Sequence, residues 1–191
     1  MVSASQLRAG MAVRIEGQLY KVLSAEYHPG QGRMGGVSHT RLKNLSTGTQ
    51  WEHSFRAELR FEQVETVRVA MEFLFSDAGQ ATFMDPGTFE QITVAASLLG
   101  PQAALLAPAM LVTVEFVDGN PVEVLFPDIL EVRVAATAPA VHQQIDSVWK
   151  PARLDNGAEV MVPQFIKAGD TIRLDVLNMK YMDRSKGAAR G

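Results

Sequence analysis

Six times along the chain, two short runs of alternating apolar and polar residues meet at a turn containing Gly, Asn or Asp. The pairs are "MAVRIEGQLYKVLSAEY" turning at Glu16-Gly17, "SHTRLKNLSTGTQWEHSF" at Thr47-Gly48 and "ETVRVAMEFLFSDAGQATFMD" at Asp77-Ala78-Gly79. "LVTVEFVDGNPVEVLFP" follows at Asp118-Gly119-Asn120, then "KPARLDNGAEVMVP" at Asp155-Asn156-Gly157 and "DTIRLDVLNMKYMDR" near Leu177-Asn178. Period-two alternation marks a half-buried strand, and residues that tolerate positive φ let the next strand fold back. A seventh connection, "HPGQGRMGG" from His28 to Gly36, holds four glycines, a proline and no carboxylate.

Helical patterning is scarce. "TFEQITVAASLLG" predicts one helix, with Thr88 as its cap and Gly100 as its stop, and "PQAALLAP" a shorter one. The chain is therefore expected to be all-β, with strand spacing typical of small barrels. Breaks near Glu65 and Val132, where the charge balance changes sign, give modules of residues 1–65, 66–131 and 132–191.

The net charge of −3 conceals a partition. Residues 1–66 carry +2 and residues 132–191 carry +3, whereas residues 67–131 carry nine acids against one Arg, or −8. The ends can lie along a phosphate backbone that would repel the middle, unless the acids serve only solubility. With no cysteine among 191 residues, disulfides, thiolate metal sites and cysteine nucleophiles are excluded. No apolar run approaches the roughly 20 residues of a bilayer span. "MVSASQLRAGM" lacks the order of a signal peptide, so a cytoplasmic protein is expected. His28, His39, His53 and His142 lack metal-ligand spacing, although His28 and His39 flank the glycine-rich connection. No nucleophile–base pair or cofactor motif is present, so neither catalytic residues nor a cofactor are expected.

The order of motifs resembles bacterial elongation factor P. "WKPARLDNGAEVMVPQFIKAGDTIRLD" is similar to that family's signature, through Lys150, Gly157, Val162, Pro163, Phe165 and Gly169. "YMDRSKG" resembles its closing segment, "LRAGMAVRIEGQLYKVLSAEYHPGQG" and "RLKNLSTGT…FRA" its first barrel, and "DPGTFEQ" with "DGNPVEVLFP" its second. The resemblance covers nearly the whole chain. It implies three barrels in an L-shaped, tRNA-like arrangement, a KOW-like or SH3-like barrel followed by two OB-folds. It further implies a monomer that binds RNA of both ribosomal subunits beside peptidyl-tRNA, especially prolyl, and relieves polyproline stalls by positioning the CCA end. That is rate enhancement by alignment rather than by proton transfer.

On this resemblance the tip loop at the peptidyl-transferase centre is Gly30, Gln31, Gly32, Arg33 and Met34. Many relatives place a modified Lys, or a glycosylated Arg, where this chain has Gln31, and this loop is longer than the family's common form. Arg33 is favoured over Gln31 as the unmodified tip because of its donor geometry, with a modified Arg33, and an enzyme to modify it, left open. Arg41 and Lys43, alternating on one strand, and Arg56 nearby are expected either to follow the acceptor arm or to form a solvated face. Lys150, Arg153, Tyr181 and Arg184 are implied contacts to small-subunit RNA or the anticodon side. Tyr181 is either a stacking residue or an edge of the core. The family's Gly-Asp-Thr-Ala loop is replaced by "VHQQIDSVW", leaving Gln143, Gln144 and Ser147 without a clear role. A general OB-fold RNA-binding or chaperone protein is the alternative, and a histidine-centred metalloenzyme a distant third.

Overall fold

The computed structural model describes residues 1–30, 35–139 and 149–185. The first sheet comprises β1 (Val2–Ser3), β2 (Ala12–Ile15), β3 (Gln18–His28), β4 (Val37–Asn44), β5 (Gln50–Arg56) and β6 (Arg60–Val64). The second comprises β7 (Val67–Asp77), β8 (Gln80–Met84), β9 (Gln91–Ala95), β10 (Leu111–Val117) and β11 (Asn120–Leu125). The third comprises β12 (Ile129–Thr137), β13 (Trp149–Leu154), β14 (Glu159–Pro163), β15 (Thr171–Asp175) and β16 (Lys180–Arg184). Their orders are β1-β6-β2-β3-β4-β5, β11-β10-β7-β8-β9 and β14-β13-β12-β15-β16. The outer strands β14 and β16 approach each other, so the third sheet curls nearly into a barrel. The all-β expectation holds.

The tight turns fall where the turn residues stand. Glu16-Gly17, Ala78-Gly79 and Asp118-Gly119 each place two consecutive residues at positive φ. That is the type I′ geometry whose twist suits a two-residue hairpin. The predicted helix over Thr88–Gly100 is not formed. Gln91–Ala95 is instead β9, its Ile92, Thr93 and Val94 paired with Phe83, Thr82 and Ala81 of β8. Three consecutive β-branched residues with period-two burial outweigh the cap signal, and Phe89 at φ 62° blocks a helical start. The Thr88 hydroxyl accepts a hydrogen bond from the Glu90 N–H at 3.3 Å, closing a loop rather than capping a helix. Two short 3-10 segments follow, Ala96–Leu98 and Gly100–Leu105.

The chain forms two compact units, one of Met1–Val69 with Val114–Val124 and the other of Ala70–Thr113 with Leu125–Gly191. Val132, where the charge balance changes, lies inside β12. The first unit's core gathers Leu7, Val13, Val22, Leu42, Phe55 and Phe61. In the second unit Leu105 of the 3-10 segment is fully buried among Val134, Leu154, Ile166, Ile172 and Leu174. The Leu105 carbonyl accepts a hydrogen bond from Asn156 Nδ2 at 3.2 Å, anchoring this segment to the third sheet.

Beside the first unit's core lies a connected set of charges. The Glu115 side chain is 1% exposed and accepts from Lys21 Nζ at 2.8 Å and Arg68 Nε at 2.9 Å. Glu123 accepts from Lys43 Nζ at 2.7 Å and also from Lys21 Nζ. Burial pushes the Glu123 carboxyl up, but the hydrogen bonds from Lys21 and Lys43 outweigh it and hold the group below the ordinary carboxylate value. Removing one partner of a buried pair leaves a charge uncompensated, whereas a pair open to water contributes little. Glu115→Ala should therefore cost about 3 kcal/mol in urea denaturation. Lys43→Ala, whose side chain keeps 32% exposure, should cost less than about 1 kcal/mol. Equal costs would contradict this account. As pH falls below 4.5, the unfolded chain takes up the Glu123 proton before the folded chain does, so stability is lost toward acid. The stability gap between wild type and Glu123→Gln should accordingly be full at neutral pH and close in acid, as read from urea midpoints across that range.

Candidate nucleic-acid interface

The longest hairpin in the first unit leads to the glycine-rich connection. β3 and β4 pair from Tyr20↔Asn44 to His28↔Val37, and β5 continues the ladder from Gln50↔Lys43 to Arg56↔Val37. One face carries His28, Val37 and Arg56 at the hairpin's free end, then Glu26, His39 and Ser54, then Ser24, Arg41 and Glu52. Alternation turns the intervening Ser38, Thr40 and Leu42 inward, and all three are buried.

The free end is tightly built where it is described. A Cβ at Gly36 would lie 2.5 Å from Tyr27 Cε2, 2.7 Å from its hydroxyl and 2.9 Å from the His28 carbonyl. A side chain there fits only if the half-exposed Tyr27 ring gives way. The His28 and His39 rings meet edge to face at 4.9 Å, and His39 Nδ1 and Ser54 Oγ are hydrogen-bonded at 2.6 Å. Ser24, Glu26, His39, Arg41, Glu52 and Ser54 line a shallow open groove on this face. Among the described residues no group of three or more His, Cys, Asp or Glu is arranged to hold a metal.

The expected site residues divide by surroundings. Gly30 is exposed at the end of the hairpin, while Gln31, Gly32, Arg33 and Met34 lie outside the described residues. Arg41 is exposed and its Nε stands 3.2 Å from Glu52. Arg56 is exposed beside the free end. Lys43, on the same strand as Arg41, is bound to Glu123. In the third sheet Arg153 and Arg184 are exposed, but Lys150 is only 4% exposed. Lys150 Nζ donates to the Ala138 carbonyl at 2.6 Å and the Pro139 carbonyl at 3.3 Å, turning its charge into the protein. Burial pushes that ammonium below its ordinary value, with Asp170 opposing. Tyr181 packs half-buried against the third sheet's core, and its ring meets Trp149 edge to face at 6.0 Å. Burial pushes the Tyr181 hydroxyl up, and Asp183 adds to it. Gln143, Gln144, Ser147 and His142 lie outside the described residues.

Sequence reasoning did not find Gly36's contact with Tyr27, the exposed Trp149 or the Glu115–Glu123 ion set. A signal for the last existed, since each glutamate interrupts an otherwise apolar strand, "VTVEFV" and "PVEVLF". A carboxylate at such a position is seldom left without a cation.

Family models agree with this architecture along nearly the whole chain. The elongation factor P KOW-like domain matches residues 3–61, the elongation factor P OB domain residues 66–124, and the elongation factor P C-terminal domain residues 130–184. The elongation factor P of Coprothermobacter proteolyticus is 34% identical over 186 residues, covering 96% of this chain and 99% of that protein. Those of Acidobacterium capsulatum and Rhodospirillum rubrum are each 35% identical, over 96% and 97% of this chain and 99% of theirs.

The chain belongs to the elongation factor P family.

It is therefore a translation factor, with a KOW-like domain and OB-type domains as anticipated. Among solved structures, a eukaryotic translation initiation factor 5A from Methanococcus jannaschii shares the fold. Its TM-score is 0.50 at 17% identity, over 65% of this chain and 92% of that one. Among the described residues no helix is long and apolar enough to cross a membrane.

The free end of the hairpin yields one prediction. Gly36→Ala displaces the half-exposed Tyr27 ring and crowds the His28 carbonyl, and should cost about 1 kcal/mol in thermal or urea unfolding. In a Tyr27→Ala background the same change should cost less, because only the His28 carbonyl still crowds the new methyl. An undiminished cost would show that the backbone, not the ring, sets the constraint.

Proposed function

We propose that this family member binds the ribosome beside peptidyl-tRNA and speeds peptide-bond formation at consecutive prolines. The observation that carries this reading is the eleven-residue strand β3, paired with β4 out to His28 and Val37, ending at the glycine-rich segment. Such a ladder is a stiff arm, and glycines at its end allow close backbone approach to RNA. Proline is a poor participant in peptide transfer because its ring fixes φ and restricts its neighbour. A factor that aligns the CCA end supplies orientation without an acid, a base or a nucleophile.

In this reading Arg33 is the tip cation and works unmodified, with Gln31 beside it. Arg41 and Arg56 follow the tRNA backbone from the face of β4 and β5, since guanidinium groups suit phosphate oxygens. Arg153, Arg184 and the edge of Tyr181, in the third sheet, meet small-subunit RNA or the anticodon side of the tRNA. The protein acts as a cytoplasmic monomer, with ribosomal RNA and peptidyl-tRNA as its partners. Lys43 and Lys150 hold structure instead, given their bonds to Glu123 and to two backbone carbonyls.

Reconstituted translation of a polyproline message tests the reading. Wild-type factor should shorten the stall, and Arg33→Ala should remove most of that effect with its melting curve unchanged. Full rescue by Arg33→Ala would refute the tip assignment, and no rescue by wild type would refute the function. Intact-mass measurement of the native protein should return the unmodified mass, and added mass on Arg33 would overturn that part.

A further inference from the structure

Lys21 and Lys43 stand directly opposite each other in the β3–β4 ladder. Like charges at facing positions of an antiparallel pair repel and push the strands apart. They sit toward the base of the hairpin whose other end carries the glycine-rich segment. The opposing charge comes from a different hairpin. Glu123 of β11 accepts hydrogen bonds from both lysines, and Glu115 of β10 accepts from Lys21 at 2.8 Å while Arg68 holds its other oxygen at 2.9 Å. All five residues belong to one compact unit.

The position of this clamp along the strand matters. Directly beyond it the β3–β4 register shifts between Val22 and Ser24. A bulge of that kind bends a strand and redirects the residues beyond it. Five further pairs, Ser24↔Arg41 to His28↔Val37, then run to the free end. From Lys21 to His28 the strand is about 23 Å long at ~3.3 Å per residue. A tilt of about 5° at the clamp thus moves the free end by roughly 2 Å on that length. Misplacement by about 1 Å can lower the rate of an alignment-driven reaction on the order of a hundredfold.

We propose that Glu115 and Glu123 are positioning residues that clamp Lys21 and Lys43 at the base of the β3–β4 hairpin and thereby set the direction of its free end. They touch neither RNA nor the reacting groups. The proposal rests on the reading that the free end of this hairpin acts at the site of peptide transfer. It adds a requirement which that reading does not contain: two acids remote from the tip determine the maximal rate while leaving ribosome affinity intact.

The test pairs Glu123→Gln with the double variant Glu123→Gln/Lys43→Met. Glutamine keeps the shape but exposes the two lysines to each other, and methionine at position 43 then removes the repulsion at similar volume while Lys21 stays bound to Glu115. In reconstituted polyproline translation, Glu123→Gln should lower the rate at saturating factor by about tenfold or more, with the half-saturating concentration within about twofold of wild type. The double variant should recover most of that rate. Amide exchange at Ala25–His28 should quicken in the single variant and return in the double. The clamp is overturned if Glu123→Gln keeps the wild-type rate, or if its loss merely follows the unfolded fraction in urea melts. It is also overturned if the double variant is no better than the single one. Should wild type itself give no stimulation, the functional reading falls. Amide exchange then decides the clamp alone, and unchanged exchange in Glu123→Gln overturns it.

Discussion

A carboxylate with 1% of its side chain exposed is the constraint around which the first compact unit is organised. Both oxygens of Glu115 are paired there, with Lys21 and Arg68 each bringing a donor to one of them. Lys21 in turn faces Lys43 across the ladder, which is tolerable only with Glu123 between them. No member of the set is at ease without the others. An apolar cluster of equal volume would pack as well, and such replacements are often stabilising. What the ions add is direction: charge-assisted hydrogen bonds fix angles and partners in a way that apolar contact does not.

That set also revises the meaning of the acidic middle of the sequence. Residues 67–131 carry nine acids, but Glu115 and Glu123 are turned to cations from outside their own sheet. Their charge therefore does not contribute to repelling a phosphate backbone in the way composition suggests. Conversely, Lys43 contributes less to attraction, and Lys150, bound to two carbonyls in the other unit, contributes little. Of the cations expected to meet RNA, those left exposed among the described residues are arginines: Arg41, Arg56, Arg153 and Arg184. Guanidinium groups retain spare donors after one is engaged, as at the Arg41–Glu52 contact. A lysine bound twice has one donor left.

Turns and strands were legible because their causes are local. Glu16-Gly17, Ala78-Gly79 and Asp118-Gly119 adopt the positive φ values that their hairpins demand, and the alternation beside them fixes which side is buried. The same local logic failed at Thr88–Gly100. A cap-like Thr and a terminal Gly suggested a helix, but Ile92-Thr93-Val94 had a partner strand available in β8. Tertiary pairing decides such segments, and one chain's periodicity does not report it. The ion set was illegible for a related reason. Lys21 and Glu115 are separated by 94 positions and Lys21 and Glu123 by 102. Only the odd presence of a glutamate in each apolar strand hinted at it. Lys150 belongs with these: its family signature suggested an outward contact, whereas burial turns its ammonium to Ala138 and Pro139.

On the function proposed above, a factor that works by alignment needs two properties that oppose each other in one chain. Its working end must be permissive enough to fit an RNA cleft, and its base must be stiff enough for that fit to carry force. Glycines supply the first at a cost in order, since they leave the backbone free on both sides of φ. The second cannot come from the hairpin itself, because an isolated two-stranded ribbon is only marginally stable in water. It has to come from other elements: β5 extending the ladder on one edge, β2 on the other, and the β10–β11 carboxylates at the base. Gly36 stands at the free end of that ladder. There the chain passes so close to Tyr27 and the His28 carbonyl that a side chain fits only if the Tyr27 ring moves. Packing at Gly36 thus closes the described end of the arm, and the charges that anchor the arm lie at its opposite end.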